Sequence, residues 1–189
     1  MDKVDEIVAT YPHIWKTRSA FFSWLKGIFR KGWSKHPART ELLKKQSVMV
    51  ENTNPRSMKR FPMVAACRCS ICGEVVKKSE VEVDHILEET ASLTEISDIQ
   101  SCVEKLLLVS EKDLRIVCKP CHSIHTLSQK LGITFEEARV EQLVISMCKN
   151  TKKCLTYLES LGYSGDAVSN QEKRRKLLRE LLSNGIKEK

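Results

Sequence analysis

The sequence predicts an α+β fold in which a small strand-and-helix module, stapled by a zinc ion, is embedded in a mainly helical chain of 189 residues. Three observations lead there. Val81-Glu82-Val83-Asp84-His85-Ile86 alternates apolar and polar residues as a strand does, then ends on an acid and an imidazole. Two Cys-x-x-Cys pairs, Cys69-Ser70-Ile71-Cys72 and Cys118-Lys119-Pro120-Cys121, bracket that strand, and two such pairs supply the four thiolates of a tetrahedral zinc site. Along the rest of the chain, apolar residues recur mostly at helical spacing.

In chain order, residues 1–18 are mixed, and Tyr11-Pro12 interrupts any early helix. From Ser19, a plausible N-cap, the residues Phe21, Phe22, Trp24, Leu25, Ile28 and Phe29 follow helical spacing, with Lys26, Arg30 and Lys31 among them. A basic, aromatic helix of this kind suits phosphate backbone, a membrane surface or the core; the aromatics are expected in the core. Gly32-Trp33 and His36-Pro37 end it, Arg39–Lys45 adds a short turn, and Val48-Met49-Val50 is extended. Asn52 to Arg60 reads as a basic linker or loop. It marks the expected boundary between a basic helical arm, residues 1–60, and a central module, residues 61–132.

Within that module, Gly73 suits a tight knuckle around a metal because it takes positive φ without steric cost. Val75-Val76 and Val81–Val83 are expected to pair as a hairpin that turns at Lys77-Lys78-Ser79. An acidic insertion, residues 88–111, carries a helix marked by Ile96, Ile99, Val103, Leu106 and Leu107, expected to pack on the hairpin. Leu114–Val117 leads into the second cysteine pair, and a helix from Cys121 runs to about Leu131, stopped by Gly132. His122 and His125, three apart, share one face of it.

The third segment, residues 133–189, is helical. Thr134 and Glu137 form a capping box that opens a helix over Phe135–Cys148, whose core face is Val140, Leu143, Val144 and Met147. A short helix around Leu155, Leu158 and Leu161 closes at Gly162, and a last one, Asn170 to Ser183, joins Lys173-Arg174-Arg175-Lys176 to four leucines. Cys67, Cys102, Cys148 and Cys154 are left over and read as small core residues. His13 and His36 read as surface or packing histidines.

Taken as residues alone, Asp84 and His85 offer a carboxylate for a hard cation and an imidazole that takes a proton near pH 7; the plain alternative is a strand end whose Asp begins a turn. With the cysteine pairs around them, the arrangement resembles the HNH endonuclease family over residues 67 to 131. That family's ββα-metal motif has a strand ending in Asp-His, an intermediate Asn, and a Cys-x-x-Cys-His opening a helix. Val83-Asp84-His85-Ile86, Leu114–His122 and the Ser23-Trp24-Leu25-Lys26 region look like its bacteriophage-type members, free-standing or homing endonucleases. The resemblance implies His85 as general base, Asp84 as ligand of a catalytic Mg²⁺ or Mn²⁺, and His122 as the helix-borne ligand. His125 is a further possible ligand. One position departs from the pattern: where the family usually has Asn, this chain has Asp113, expected to fix the loop around His85 or to join the cation.

Charge fits a polyanionic partner. The net charge is +8, and residues 1 to 60 hold thirteen Lys and Arg against five Asp and Glu, while the rest balance nineteen against nineteen. With a nuclease-like site present, Lys26, Arg30, Lys31, Lys35, Arg39, Arg56, Lys59 and Arg60 are expected to contact double-stranded DNA. No apolar run approaches the roughly 20 residues of a membrane span, and the N-terminus lacks a secretory pattern. The expectation is an intracellular protein, in the cytoplasm of an infected bacterial host if the phage resemblance holds. A single active site implies nicking by a monomer, and double-strand cleavage then needs a homodimer or sequential nicks. Two other readings stand beside the nuclease: a zinc-containing DNA-binding module with an impaired centre, and a protein-interaction zinc domain.

Overall fold

The computed structural model describes residues 2–86 and 93–187, with side chains to residue 183, so the first residues of the acidic insertion lie outside the described part. The chain forms two compact units, Met1–Lys119 and Pro120–Lys189.

The first unit opens with α1 (Lys3–Thr10), where Asp2 and Asp5 form a capping box, and Arg18 pairs with both carboxylates. The helix ends ahead of Pro12 because proline's ring disfavours helical backbone at the residue before it. Next come α2 (Arg18–Ser34) and α3 (Pro37–Lys45). Thr17, not Ser19, caps α2, accepting the Ala20 N–H, and the helix runs on through Gly32 and Trp33. α3 is a full helix rather than a short turn: proline sits at its start, and the His36 ring accepts the Ala38 N–H as its cap. Phe22 is buried with Val4, Leu93 and Cys102, and Phe21, Leu25 and Phe29 pack around them. Trp24, expected in the core, is 51% exposed, and Ile28 beside it is 43% exposed, on the side of α2 turned to solvent.

Two antiparallel sheets follow. β1 (Ser47–Glu51), β2 (Met63–Arg68) and β3 (Val75–Lys77) form one, in that order; β4 (Val81–His85) and β5 (Leu114–Cys118) form the other. The expected hairpin between Val75-Val76 and Val81–Val83 is therefore not made. β3 pairs with β2, while β4 pairs with β5 across the insertion, Asp84 opposite Arg115 and His85 opposite Leu114. Tight hairpin turns favour Gly or Asn, which tolerate positive φ. The Lys78–Glu80 connection contains neither and folds as a 3-10 turn. Burial settles the partner: Val81 and Val83 share one core with Leu114, Ile116, Leu42 and Cys67, each such burial contributing about 1.5–3 kcal/mol. The insertion's helix α4 (Asp98–Leu106) buries Cys102 with Val4 and Phe22, so it packs on α1 and α2. Its C-terminal end reaches the strands expected to receive it, through the Leu106 carbonyl at His85 and, just beyond the helix, through Val109.

In the second unit α5 (Lys119–Leu131) starts two residues earlier than expected and stops at Gly132, whose φ of 64° only glycine adopts cheaply. α6 (Phe135–Cys148) has the expected capping box between Thr134 and Glu137. α7 (Thr151–Ser160) and α8 (Gln171–Lys187) complete the unit. Val140, Val144, Cys148, Cys154, Leu158, Val168 and Leu178 are buried together. Leu143, expected in the core, is exposed, and so is Leu161. No helix among the described residues is long and apolar enough to cross a membrane.

Candidate metal centre and the Asp84-His85 strand end

The knuckle begins where β2 ends. The Cys69 N–H donates to the Glu74 carbonyl, the Gly73 N–H donates back to the Cys69 carbonyl, and Gly73 takes a φ of 76° to close the turn. Arg68 clamps the Gly73 carbonyl, and the Ser70 N–H donates to the Ile116 carbonyl, tying the knuckle to β5. Cys118 is the last residue of β5 and Cys121 lies in the first turn of α5. The sulfurs of Cys69, Cys72, Cys118 and Cys121 all lie within 4.8 Å of one another. Among the described residues this is the one group of three or more His, Cys, Asp or Glu gathered closely enough to hold a metal.

Zinc fits this group. A tetrahedron with Zn–S bonds of about 2.3 Å has sulfurs about 3.8 Å apart, and the Cys72 and Cys118 sulfurs are separated by 3.9 Å. Burial raises the Cys69 thiol, but N–H groups of Cys118, Cys72 and Ile71 aimed at its sulfur more than offset that and bring it to about 6. A thiolate already favoured by the backbone is what a metal ligand requires. Three of the four cysteines are buried and Cys72 is exposed.

Asp84 and His85 end β4 side by side, with opposite side chains occupied differently. Arg115, the residue across from Asp84 in β5, donates from Nη2 at 2.9 Å and Nε at 3.1 Å, both to Oδ2. His85 is half-buried under the Trp33 ring, with centroids 4.3 Å apart. Its Nε2 lies 3.3 Å from the Leu106 carbonyl. A carbonyl only accepts, so Nε2 carries the proton, and in the neutral ring the lone pair resides on Nδ1. Burial pulls the His85 imidazole below its ordinary value, and neighbouring His36 adds to this against the opposing pull of the Leu106 carbonyl, Asp84 and Asp113. A histidine neutral at pH 7 with a lone pair on one nitrogen is a competent proton acceptor.

Asp113 spends its side chain on the loop. Its Oδ2 accepts the Ser110 N–H at 2.8 Å and the Ser110 hydroxyl at 2.7 Å, which hold its carboxyl below the usual range, while its backbone carbonyl accepts the Ile86 N–H next to His85. His122 and His125 are half-buried on α5, in the second unit, and His122 lines an open groove of about 760 Å³ between α5 and α6. Of the expected phosphate contacts, Arg30, Lys31, Lys35, Arg56, Lys59 and Arg60 are exposed. Lys26 is half-buried, and Arg39 is committed to Glu82 and the Ser34 carbonyl.

Sequence reasoning missed Arg115, Trp33 and the Leu106 carbonyl. Arg115 was within reach once β4 and β5 are paired in register; Trp33 and Leu106 reach His85 only through tertiary packing, which leaves no local pattern. The chain thus carries a four-cysteine cluster able to hold a metal in a mixed α+β fold. No protein-family model, no curated protein and no solved structure matches it.

Proposed function

We propose that the chain is a zinc-stapled DNA-binding protein whose β4–β5–α5 module hydrolyses phosphodiester bonds as a metal-dependent endonuclease of the HNH type. The observation that carries the reading is His85, a half-buried imidazole at a strand tip whose Nε2 faces the Leu106 carbonyl, an arrangement that favours the proton on Nε2 and the lone pair on Nδ1. In this role Nδ1 takes the proton of the attacking water. Trp33 and the Leu106 carbonyl hold the ring's plane and tautomer, and the Asp113 carbonyl anchors the next residue. Asp84, beside His85 on β4, would be a ligand of a Mg²⁺ or Mn²⁺ that would neutralise charge developing on the phosphate. The four cysteines are the staple and take no part in chemistry. The excess of cations in residues 1–60 supports a polyanionic substrate.

A second reading has its own support. The guanidinium of Arg115 already neutralises Asp84, and a carboxylate so paired is a weaker ligand for a cation. On that reading the same fold binds DNA without cutting it. Cleavage of supercoiled plasmid by zinc-loaded protein, with and without Mg²⁺ or Mn²⁺, separates the two. The nuclease reading expects cation-dependent nicking or linearisation that falls by about 10²-fold or more in His85→Ala, DNA binding being retained. Binding with no cutting under any cation selects the binding module.

A further inference from the structure

The loop joining β1 to β2, residues 52–62, is built more firmly than a surface connection requires. Asn52 is 2% exposed and is the one buried polar side chain among the described residues. Its Nδ2 donates to the Phe61 carbonyl at 2.8 Å and the Ser57 hydroxyl at 3.1 Å, its Oδ1 accepts the Asn54 N–H, and its own N–H donates to the Pro62 carbonyl. Two successive turns fill the loop: Ser57 and Met58 N–H groups donate to the Asn54 carbonyl, and those of Arg60 and Phe61 donate to the Ser57 carbonyl. One side chain thus ties both ends of the loop to its middle.

What this frame presents is cationic and apolar together. Arg56, Lys59 and Arg60 are exposed, and no acid occurs between residues 52 and 62. Met58 and Phe61 are 44% and 54% exposed, and the Arg60 guanidinium sits 5.2 Å from the Phe61 ring centre. The fully bonded buried amide fixes the loop's conformation in advance, and ordering done beforehand is not charged against affinity. Fixed cations suit regularly spaced phosphates, and apolar side chains among them suit a DNA groove, where such residues wedge against base steps.

We propose that loop 52–62 is a preformed grip on duplex DNA, with Arg56, Lys59 and Arg60 on phosphates and Met58 and Phe61 against the groove. It rests on the DNA-binding part of the proposed function and not on cleavage. The test is fluorescence anisotropy of a labelled duplex with the full zinc-loaded chain in the absence of Mg²⁺ and Mn²⁺, across a range of salt concentrations. R56A/K59A/R60A, which alters only exposed side chains, is expected to bind at least about tenfold more weakly, its log–log salt slope shallower by about 2 to 3. Asn52→Ala keeps every charge and is expected to bind about three- to tenfold more weakly with an unchanged slope, because only the loop's ordering is lost. Zinc content and circular dichroism report whether each variant keeps its fold. A triple variant that matches wild type in affinity and slope overturns the grip and leaves the nuclease or binding-module reading in place. A wild type that binds no duplex overturns both. Binding of phosphatidylserine vesicles instead of duplex, lost in the triple variant, overturns the grip in favour of a membrane surface.

Discussion

Two pairs of sulfurs in this protein are the same distance apart and are prepared for opposite ends. Cys72 and Cys118 in the knuckle, and Cys148 and Cys154 in the core of the second unit, are each separated by 3.9 Å. In the knuckle, backbone N–H groups converge on Cys69 and bring its thiol to about 6. In the second unit, burial and the neighbouring Cys148 push the Cys154 thiol up, and the pair packs among Val144, Leu158 and Leu178. Proximity of sulfur therefore does not by itself make a metal site. A group able to hold a metal needs four convergent thiols, and N–H donors that favour the thiolate prepare it.

Removing one sulfur from each region should widen the contrast. Cys118→Ser leaves the backbone N–H that donates to Cys69 and removes only a ligand, so zinc content should fall to near zero and the first unit should lose its cooperative melt. Structural zinc supplies about 10–16 kcal/mol of apparent binding free energy in small peptides, the largest single contribution at stake here. Full zinc occupancy in Cys118→Ser, by atomic absorption, would break the comparison. Cys154→Ala deletes one buried heavy atom and should cost only about 0.5–1.5 kcal/mol in urea unfolding, with zinc content unchanged. Zinc loss in that variant would equally break it.

The contrast also shows what the sequence made legible. Cys-x-x-Cys spacing announced the four-cysteine cluster, because a tetrahedral metal site needs short, fixed separations between its ligands. The absence of a third partner spacing left Cys148 and Cys154 as core, where they are. Thr134 and Glu137 announced α6 to the residue, since a capping box is a local hydrogen-bond pattern. Strand pairing was not legible. Val75-Val76 and Val81–Val83 look adjacent in sequence, yet β4 takes a partner some thirty residues away because that is where Leu114 and Ile116 bury its valines. The same non-local step brought Arg115 opposite Asp84. It also explains why Trp24, apolar and in helical phase, ends exposed: periodicity names a face of a helix but not how far the core extends over it.

Acid sharpens the comparison at its smallest scale. In the second unit Arg179, on α8, forks onto both oxygens of Glu141, on α6, and this guanidinium holds the Glu141 carboxyl below its usual range. A carboxyl lowered on folding contributes stability that is present above its unfolded value, about 4.3, and is lost as the pH falls through the lower folded value. Glu141→Gln should therefore melt slightly below wild type at pH 7, by no more than about 3 °C for a pair whose arginine is 45% exposed, with the gap closing below about pH 4. The first unit should respond to the same titration differently, releasing zinc as protons compete for the thiolates. Melting curves and zinc release recorded on one sample from pH 7 to pH 3 separate the two. A Glu141→Gln deficit of the same size at pH 3 as at pH 7 would show that the pair acts through packing between α6 and α8 and not through charge.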